Sequence, residues 1–264
     1  MANFKRKVWE SRLVENFNEM SVLPVLTTAP SEMTGESVTF NRANAGTIAD
    51  YTGSINWEAV ETTPIVMTFE HKKYFAFSVD DVDKVQTNID LVDGYAQGQV
   101  ANLSEAADTY AYTKFATGAG TKITDKEITA PEDLYDAIVD LGVALGKKRV
   151  PVANRYVLID WEALGLLCKD KRFTHNPDVL ANGIVSGQKI SGMTVVVSAN
   201  LPANTVIALY KGAVGFGQQI NELEGMRLQD AFADGIRGLS VAGAAVLNPD
   251  GVAAMTYTIP EDEG

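Results

Sequence analysis

Residues 80–117 read as one helix, and a helix of that length limits how the rest of the chain can be arranged. Val82, Val85, Ile89, Val92, Ala96, Val100, Leu103, Ala107, Ala111 and Phe115 follow one another at steps of three or four, which gathers apolar side chains on one helical face. Asp80, Asp81 and Asp83 suit the positive end of the helix dipole. At about 1.5 Å per residue the element would run roughly 55 Å, well beyond the ordinary globular helix. Gly94 and Gly98 are expected to bend or weaken it. Such a helix spans a body rather than completing one, so the remaining elements must be laid along it.

Upstream, residues 1–35 carry a short helical pattern, Val8, Trp9, Leu13, Val14 and Phe17, and then a segment with Pro24 and Pro30. That composition predicts an arm outside the core. Alternation at residues 37–41 and again at 65–71 predicts strands, separated by a polar stretch with Gly46 and Gly53 that is too long for a compact hairpin. Arg42, Tyr51 and Trp57 stand out in this loop, where Arg and aromatic anchors fit a protein interface. With Trp9 of the arm they are the candidate subunit contacts.

Downstream of a glycine hinge at residues 117–121, helical and extended patterns alternate: a helix at 131–147 opened by Pro131, a strand at 155–159, a short helix at 161–169, and strands at 194–198 and 206–210. Strands at 232–247 and 252–259 follow, joined through the turn Asn248-Pro-Asp-Gly. The predicted class is α+β.

The chain's chemistry is sparse. Cys168 is a lone cysteine, and with His71 and His175 it cannot make a zinc ligand set; it reads as a small buried hydrophobe. His71, beside Lys72 and Lys73, and His175, before Pro177, read as surface or capping residues with no nucleophile in register. Gly118-Ala-Gly-Thr-Lys122 lacks the spacing of a phosphate loop, and Gly212 to Gly217 lacks that of a dinucleotide fingerprint. No catalytic residue, metal or cofactor is expected. A net charge of −12 argues against gripping nucleic acid along the surface, although it permits enclosing it. Lys5, Arg6, Lys7 and Arg12 concentrate positive charge near one end, and Glu261, Asp262 and Glu263 concentrate negative charge at the other. A hydrophobic fraction of 46% is enough for a core, without a run of the roughly 20 apolar residues that cross a bilayer. Nor do the first residues resemble a signal peptide, so a soluble protein made in the cytoplasm with no membrane partner is expected.

The order of arm, long loop, long helix, α/β unit and returning strands resembles the major capsid protein of tailed bacteriophages, the Hong Kong 97 fold. Three stretches carry the likeness. Tyr74-Phe-Ala-Phe-Ser-Val-Asp-Asp-Val-Asp83 is similar to the family's junction from hairpin into spine helix. Arg155-Tyr-Val-Leu-Ile-Asp160, with Leu164 and Lys169-Asp-Lys-Arg-Phe173, is similar to its strand, helix and following segment. Gly187-Gln-Lys-Ile-Ser-Gly-Met-Thr-Val-Val-Val-Ser198, Asn200-Leu-Pro202 and Val206 to Lys211 are similar to its buried strands.

The resemblance implies an N-arm at 1–35, an extended loop at 36–73, a peripheral domain at 74–121 with 216–248, and an axial domain at 122–215 with 249–264. It also implies self-assembly into hexamers and pentamers that close an icosahedral shell around double-stranded DNA held without specific binding, with portal and scaffolding proteins as partners. Because the arm begins at Met1, there is no room for a self-cleaved scaffolding region, and a separate scaffold or a trimmed chain is expected. The lysine and asparagine through which some relatives crosslink are not evident: no lysine lies between Val8 and His71, and the stretch before Phe232 reads Leu228-Gln-Asp-Ala231. An encapsulin-type bacterial compartment shares this pattern, and a soluble α/β enzyme is the alternative from a different class.

Overall fold

The computed structural model describes residues 21–30, 35–43, 61–80, 90–173, 183–228 and 233–260, with single positions between 48 and 59. Its centre is a six-stranded mixed sheet in the order β4-β11-β8-β5-β7-β6, formed by β4 (Thr121–Glu127), β5 (Arg155–Ile159), β6 (Ile184–Ile190), β7 (Met193–Val197), β8 (Thr205–Tyr210) and β11 (Val252–Thr258). β5 pairs parallel with β7 and antiparallel with β8, which leaves β5 interior. The interior strands β5, β7, β8 and β11 are nearly unbroken apolar runs because both of their faces are covered. Alternate residues divide between two cores. Val157, Ile159, Val195, Val206, Ala208, Ala253, Met255 and Tyr257 face one side, and Leu158, Val196, Ile207, Leu209, Val252 and Ala254 face the other.

Helix α3 (Pro131–Lys147) covers the first side together with the short α4 (Trp161–Leu167). Pro131 opens α3, and the Asp133 carboxylate accepts hydrogen bonds from the amides of Ala130 at 2.8 Å and Thr129 at 3.1 Å, satisfying donors at the helix start. Its stripe of Leu134, Ala137, Ile138, Leu141 and Leu145 is buried in that core. Asp160 caps α4 by accepting from the Ala163 amide at 2.7 Å and also takes the Tyr257 hydroxyl at 3.0 Å, which ties helix α4 to strand β11.

The second side is covered by helix α2 (Asp90–Gly118), with Ala107, Ala111, Tyr112 and Phe115 lying against the sheet. The expected stripe is therefore right where its side chains are described: Leu103, Ala107, Ala111 and Phe115 are all buried. Its expected start is not. Residues 71–80 form a strand, β3 (His71–Asp80), and Asp80 pairs with Ala233 instead of opening a helix. The alternating aromatic and β-branched residues Tyr74, Phe75, Phe77 and Val79 find a partner strand there, and that long-range pairing outweighs the local acidic signal. Asp81 and Asp83 lie outside the described residues.

The second sheet, β3-β10-β9, is built from β9 (Val214–Arg227) and β10 (Ala233–Val246), with β10 in the middle. β9 was not expected as a strand, since Gly215, Gly217, Gln218, Gln219, Asn221 and Glu222 have the composition of a loop. It is held by thirteen rungs with β10, interrupted by a bulge at Leu239/Ser240. β4 and β6, at the two margins of the central sheet, were likewise unsignalled by their mixed polar sequences. The expected hinge at 117–121 is a packed crossing: a Cβ on Gly118 would lie 2.6 Å from Val246 and one on Gly120 2.5 Å from the Pro249 carbonyl oxygen. Glycine is needed there for close approach, and the Gly120 amide is fixed to the Pro249 carbonyl at 2.9 Å.

The arm reading is corrected for residues 21–28. The one-turn helix α1 (Leu23–Leu26) places Leu23 and Leu26 at 0% exposure in the core beneath α2. Thr28 bridges in parallel to Gly215, its amide donating to the Val214 carbonyl at 2.9 Å. Pro24 sits in the first turn, where its missing N–H costs nothing, so a residue that suggested an extended arm instead starts a buried turn. Residues 1–20, with the helical pattern at Val8 to Phe17, lie outside the described residues.

Leu26→Ala is therefore expected to destabilise the fold by about 2–5 kcal/mol, the usual cost of truncating a buried leucine. Gly98→Ala should do the reverse by up to about 1 kcal/mol, because the position is exposed in mid-helix and an added Cβ meets nothing within 4 Å. Denaturant unfolding of the two variants checks both signs.

Candidate assembly surface

β1 (Ser37–Ala43) and β2 (Thr62–Thr68) pair antiparallel over seven rungs, from Ser37↔Thr68 to Ala43↔Thr62, despite the long connection between them. Strands joined through a stretch too long for a compact hairpin thus pair as a two-stranded ribbon, the extended β-hairpin that the resemblance implies. Its outer part is wet on both faces; Thr62, Thr63, Pro64 and Val66 are exposed, as are Asn41 and Arg42. Beyond the ribbon, Ile48, Tyr51 and Trp57 stand at 102%, 76% and 92% exposure. Large apolar side chains this free of their own chain are apolar area that an isolated molecule leaves unburied.

Where the ribbon meets the body its side chains turn inward. Met67, Phe69 and Val241 are buried together, with Val38, Phe40, Leu239 and Ala245 packed around them. Just past this knot, Glu70 reaches helix α2: its carboxylate lies 2.6 Å from the Lys114 ammonium and accepts from the Tyr110 hydroxyl at 3.1 Å. The Lys114 hydrogen bond, followed by that of Tyr110, holds the Glu70 carboxyl below the usual carboxylate range. Burial, reinforced by the Glu70 charge, pushes the Tyr110 hydroxyl up to about 12. Next in the chain, His71 stacks on Tyr110 with ring centroids 4.6 Å apart. Its Nε2 is buried without a hydrogen-bond partner among the described residues, and burial, then the Lys73 charge, lower its pKa. His71 is therefore a half-buried stacking residue rather than the surface or capping histidine expected. The ion pair is half-exposed and worth little alone; the apolar knot carries the attachment, and the polar pair adds a contact from the ribbon's base to α2.

Of the expected contact residues, Arg42 sits on β1 opposite Thr63, and Tyr51 and Trp57 lie in the connection beyond. Trp9 and His175 lie outside the described residues. Cys168 is partly buried against the first core, where burial raises its thiol pKa. Sequence reading missed Ile48 and Val66, which no periodicity marks, and Tyr74, 79% exposed one residue before the buried Phe75. Strict alternation about Phe75 could have signalled Tyr74. Among the described residues no helix is long and apolar enough to cross a membrane, and no three His, Cys, Asp or Glu side chains are grouped to hold a metal.

Residues 65–255 match the family model described as phage capsid protein, which takes in both sheets, helix α2 and the root of the ribbon. The chain is a member of the phage capsid protein family. It is a structural major capsid protein, and its fold is that of the tailed-phage capsid proteins. Among solved structures it resembles one from Mycobacterium phage Che8 with a TM-score of 0.72, 24% identity, and coverage of 89% of this chain and 90% of that one. A cyanophage P-SCSP1u capsid matches with a TM-score of 0.72 and 17% identity over 91% of this chain and 89% of that one. The fold is also that of a virus-like particle from Pyrococcus furiosus, with a TM-score of 0.60, 16% identity, and coverage of 95% and 99% respectively. No curated protein matches the chain.

Because Tyr51 and Trp57 are free of the body of the capsid protein, Tyr51→Ala and Trp57→Ala should leave the unfolding free energy of the unassembled chain within about 0.5 kcal/mol of wild type. Phe69→Ala, at the knot, should cost about 3–5 kcal/mol. Urea titration of dissociated subunits separates the two groups.

Proposed function

We propose that this capsid protein closes an icosahedral shell of hexamers and pentamers around double-stranded DNA, with the ribbon and its connection reaching over a neighbouring copy. The observation that carries this reading is the ribbon itself. A two-stranded ribbon with solvent on both faces is marginal in isolation, and here it holds Arg42, Val66, Ile48, Tyr51 and Trp57 away from the chain that makes them. Burial against a second copy supplies the missing apolar contact. Closed symmetry then follows from repeating one such unlike-surface contact around an axis.

In this reading residues 1–35 are the N-arm, anchored to its own body through the wedge at 21–28, residues 36–73 are the extended loop, 74–121 with 216–248 a peripheral domain, and 122–215 with 249–264 an axial domain. The role is structural and not enzymatic. Portal and scaffolding proteins are the further partners, and the shell encloses DNA without reading it, as the charge of −12 favours. Membership of the phage capsid family favours this over an encapsulin-type compartment.

Electron microscopy of the chain expressed with its neighbouring gene products tests the reading. Wild type should give closed shells, and removal of residues 42–61 should leave a folded protein that makes none. Normal shells from the deletion variant would refute the role of the ribbon. Boiled particles should run as one band near 28.4 kDa, since no lysine lies between Val8 and His71 to crosslink the loop; a ladder of multimers would contradict this.

A further inference from the structure

Among the described side chains of α2, the inward face is apolar except for one stripe. Ser104, Asp108 and Tyr112, spaced one turn apart, are all buried, with exposures of 5%, 5% and 0%. The Asp108 carboxylate accepts the Ser21 hydroxyl at 2.8 Å and the Asn200 side-chain amide at 3.4 Å, while Ser21 Oγ accepts from the Leu23 amide at 3.2 Å. One carboxyl group thus joins three separate parts of the chain: the long helix, the loop after β7, and the buried wedge of residues 21–28. Around it, the Ser104 hydroxyl has no hydrogen-bond partner among the described residues, and Ser198 and Asp108 are the polar neighbours of the Tyr112 hydroxyl.

Among the described residues no cation pairs with Asp108. Residues 21–28 contain no ionisable side chain, and neither does the loop at 198–204. On α2 itself Glu105 is exposed, and burial drives the Tyr112 hydroxyl far above its ordinary range. Lys211, in the turn just before β9, directs its ammonium to the Pro24 carbonyl at 3.5 Å. An ionised carboxylate in such a seam has lost its water and gained two hydrogen bonds but no countercharge. A neutral carboxyl keeps an acceptor for Ser21 and gains a donor of its own.

We propose that the Ser21, Asp108 and Asn200 junction is a proton-operated latch, which holds residues 21–28 against α2 while Asp108 is protonated and loosens when that carboxyl ionises. The direction follows from linkage. Burial raises the Asp108 pKa from the ordinary 3.8 to about 6 in the closed state, whereas lifting the wedge returns the carboxyl to water and to its ordinary range. The open form therefore binds fewer protons. Opening is disfavoured at acid pH and grows as pH rises through the window from the ordinary value to the raised one.

Hydrogen exchange of the full chain at pH 5 and pH 8, with the intrinsic exchange rate at each pH divided out, tests the latch. Opening of residues 21–28 should be about tenfold greater at pH 8 than at pH 5. Asp108→Asn should open equally at both. Ser21→Ala, which removes a hydrogen bond without removing the proton site, should open more at both pH values and keep the dependence on pH. Equal opening of the wild-type segment at both pH values, or an Asp108→Asn chain that retains the tenfold change, would overturn the proposal. If Asp108→Asn does not fold, the wild-type ratio read against the amides of β5, which report global opening, decides the matter together with Ser21→Ala.

Discussion

The contact between helix α2 and the underside of the central sheet is what the other parts of the molecule are measured from. Ala107 and Ala111 let the helix approach closely, and Tyr112 and Phe115 fill the space to either side against Leu158, Val196, Ile207 and Leu209. Close-packed interiors tolerate little displacement, so the direction of the helix is fixed by these few side chains. The β3-β10-β9 sheet lies along the same helix, and the ribbon leaves that sheet at Glu70 and His71, which are both engaged with Tyr110. The direction in which the ribbon leaves the body is thus inherited from an alanine-lined interface in the interior.

Apolar and polar contacts divide the work. The first core, between α3, α4 and the sheet, is almost wholly hydrocarbon, with its polar members confined to caps such as Asp133 and Asp160. Arg155 is the exception: it is buried, and its guanidinium donates to the carbonyls of Pro151 at 2.9 Å and Val150 at 2.5 Å, holding the loop that leads into β5. On the opposite side, the seam where residues 21–28 enter is polar and incompletely satisfied. A satisfied polar network rigidifies, and an unsatisfied one is where a structure gives way at least cost. A shell subunit needs both properties, a body that keeps its shape and an attachment that can shift.

Local pattern was enough where an element carried its own reason to form. Helix α3 was legible to the residue, because Pro131, the acidic first turn and a clean apolar stripe agree with one another. Strand β5 was equally plain, a short apolar run bounded by polar residues. The exposure of Arg42, Tyr51 and Trp57 was also readable, since Arg and aromatic residues in a polar stretch have no nearby core to join. In the proposed shell, what they touch belongs to a second molecule.

Partners far away in sequence decided the remainder. β9 is a strand because β10 lies beside it, and nothing in its glycines and glutamines says so. Asp80 is in a strand rather than at a helix start because Ala233 pairs with it from more than a hundred residues away. Leu23 and Leu26 belong to the core because α2 and the start of β9 form a socket of their size, while their own neighbours, Pro24 and the threonines, suggest an arm. The sequence by itself determined which segments have a strong local preference and that large apolar side chains stand in a polar stretch. Only the tertiary structure decided which weakly patterned segments would be captured, because the energy that orders them is paid out in contacts absent from the segment itself.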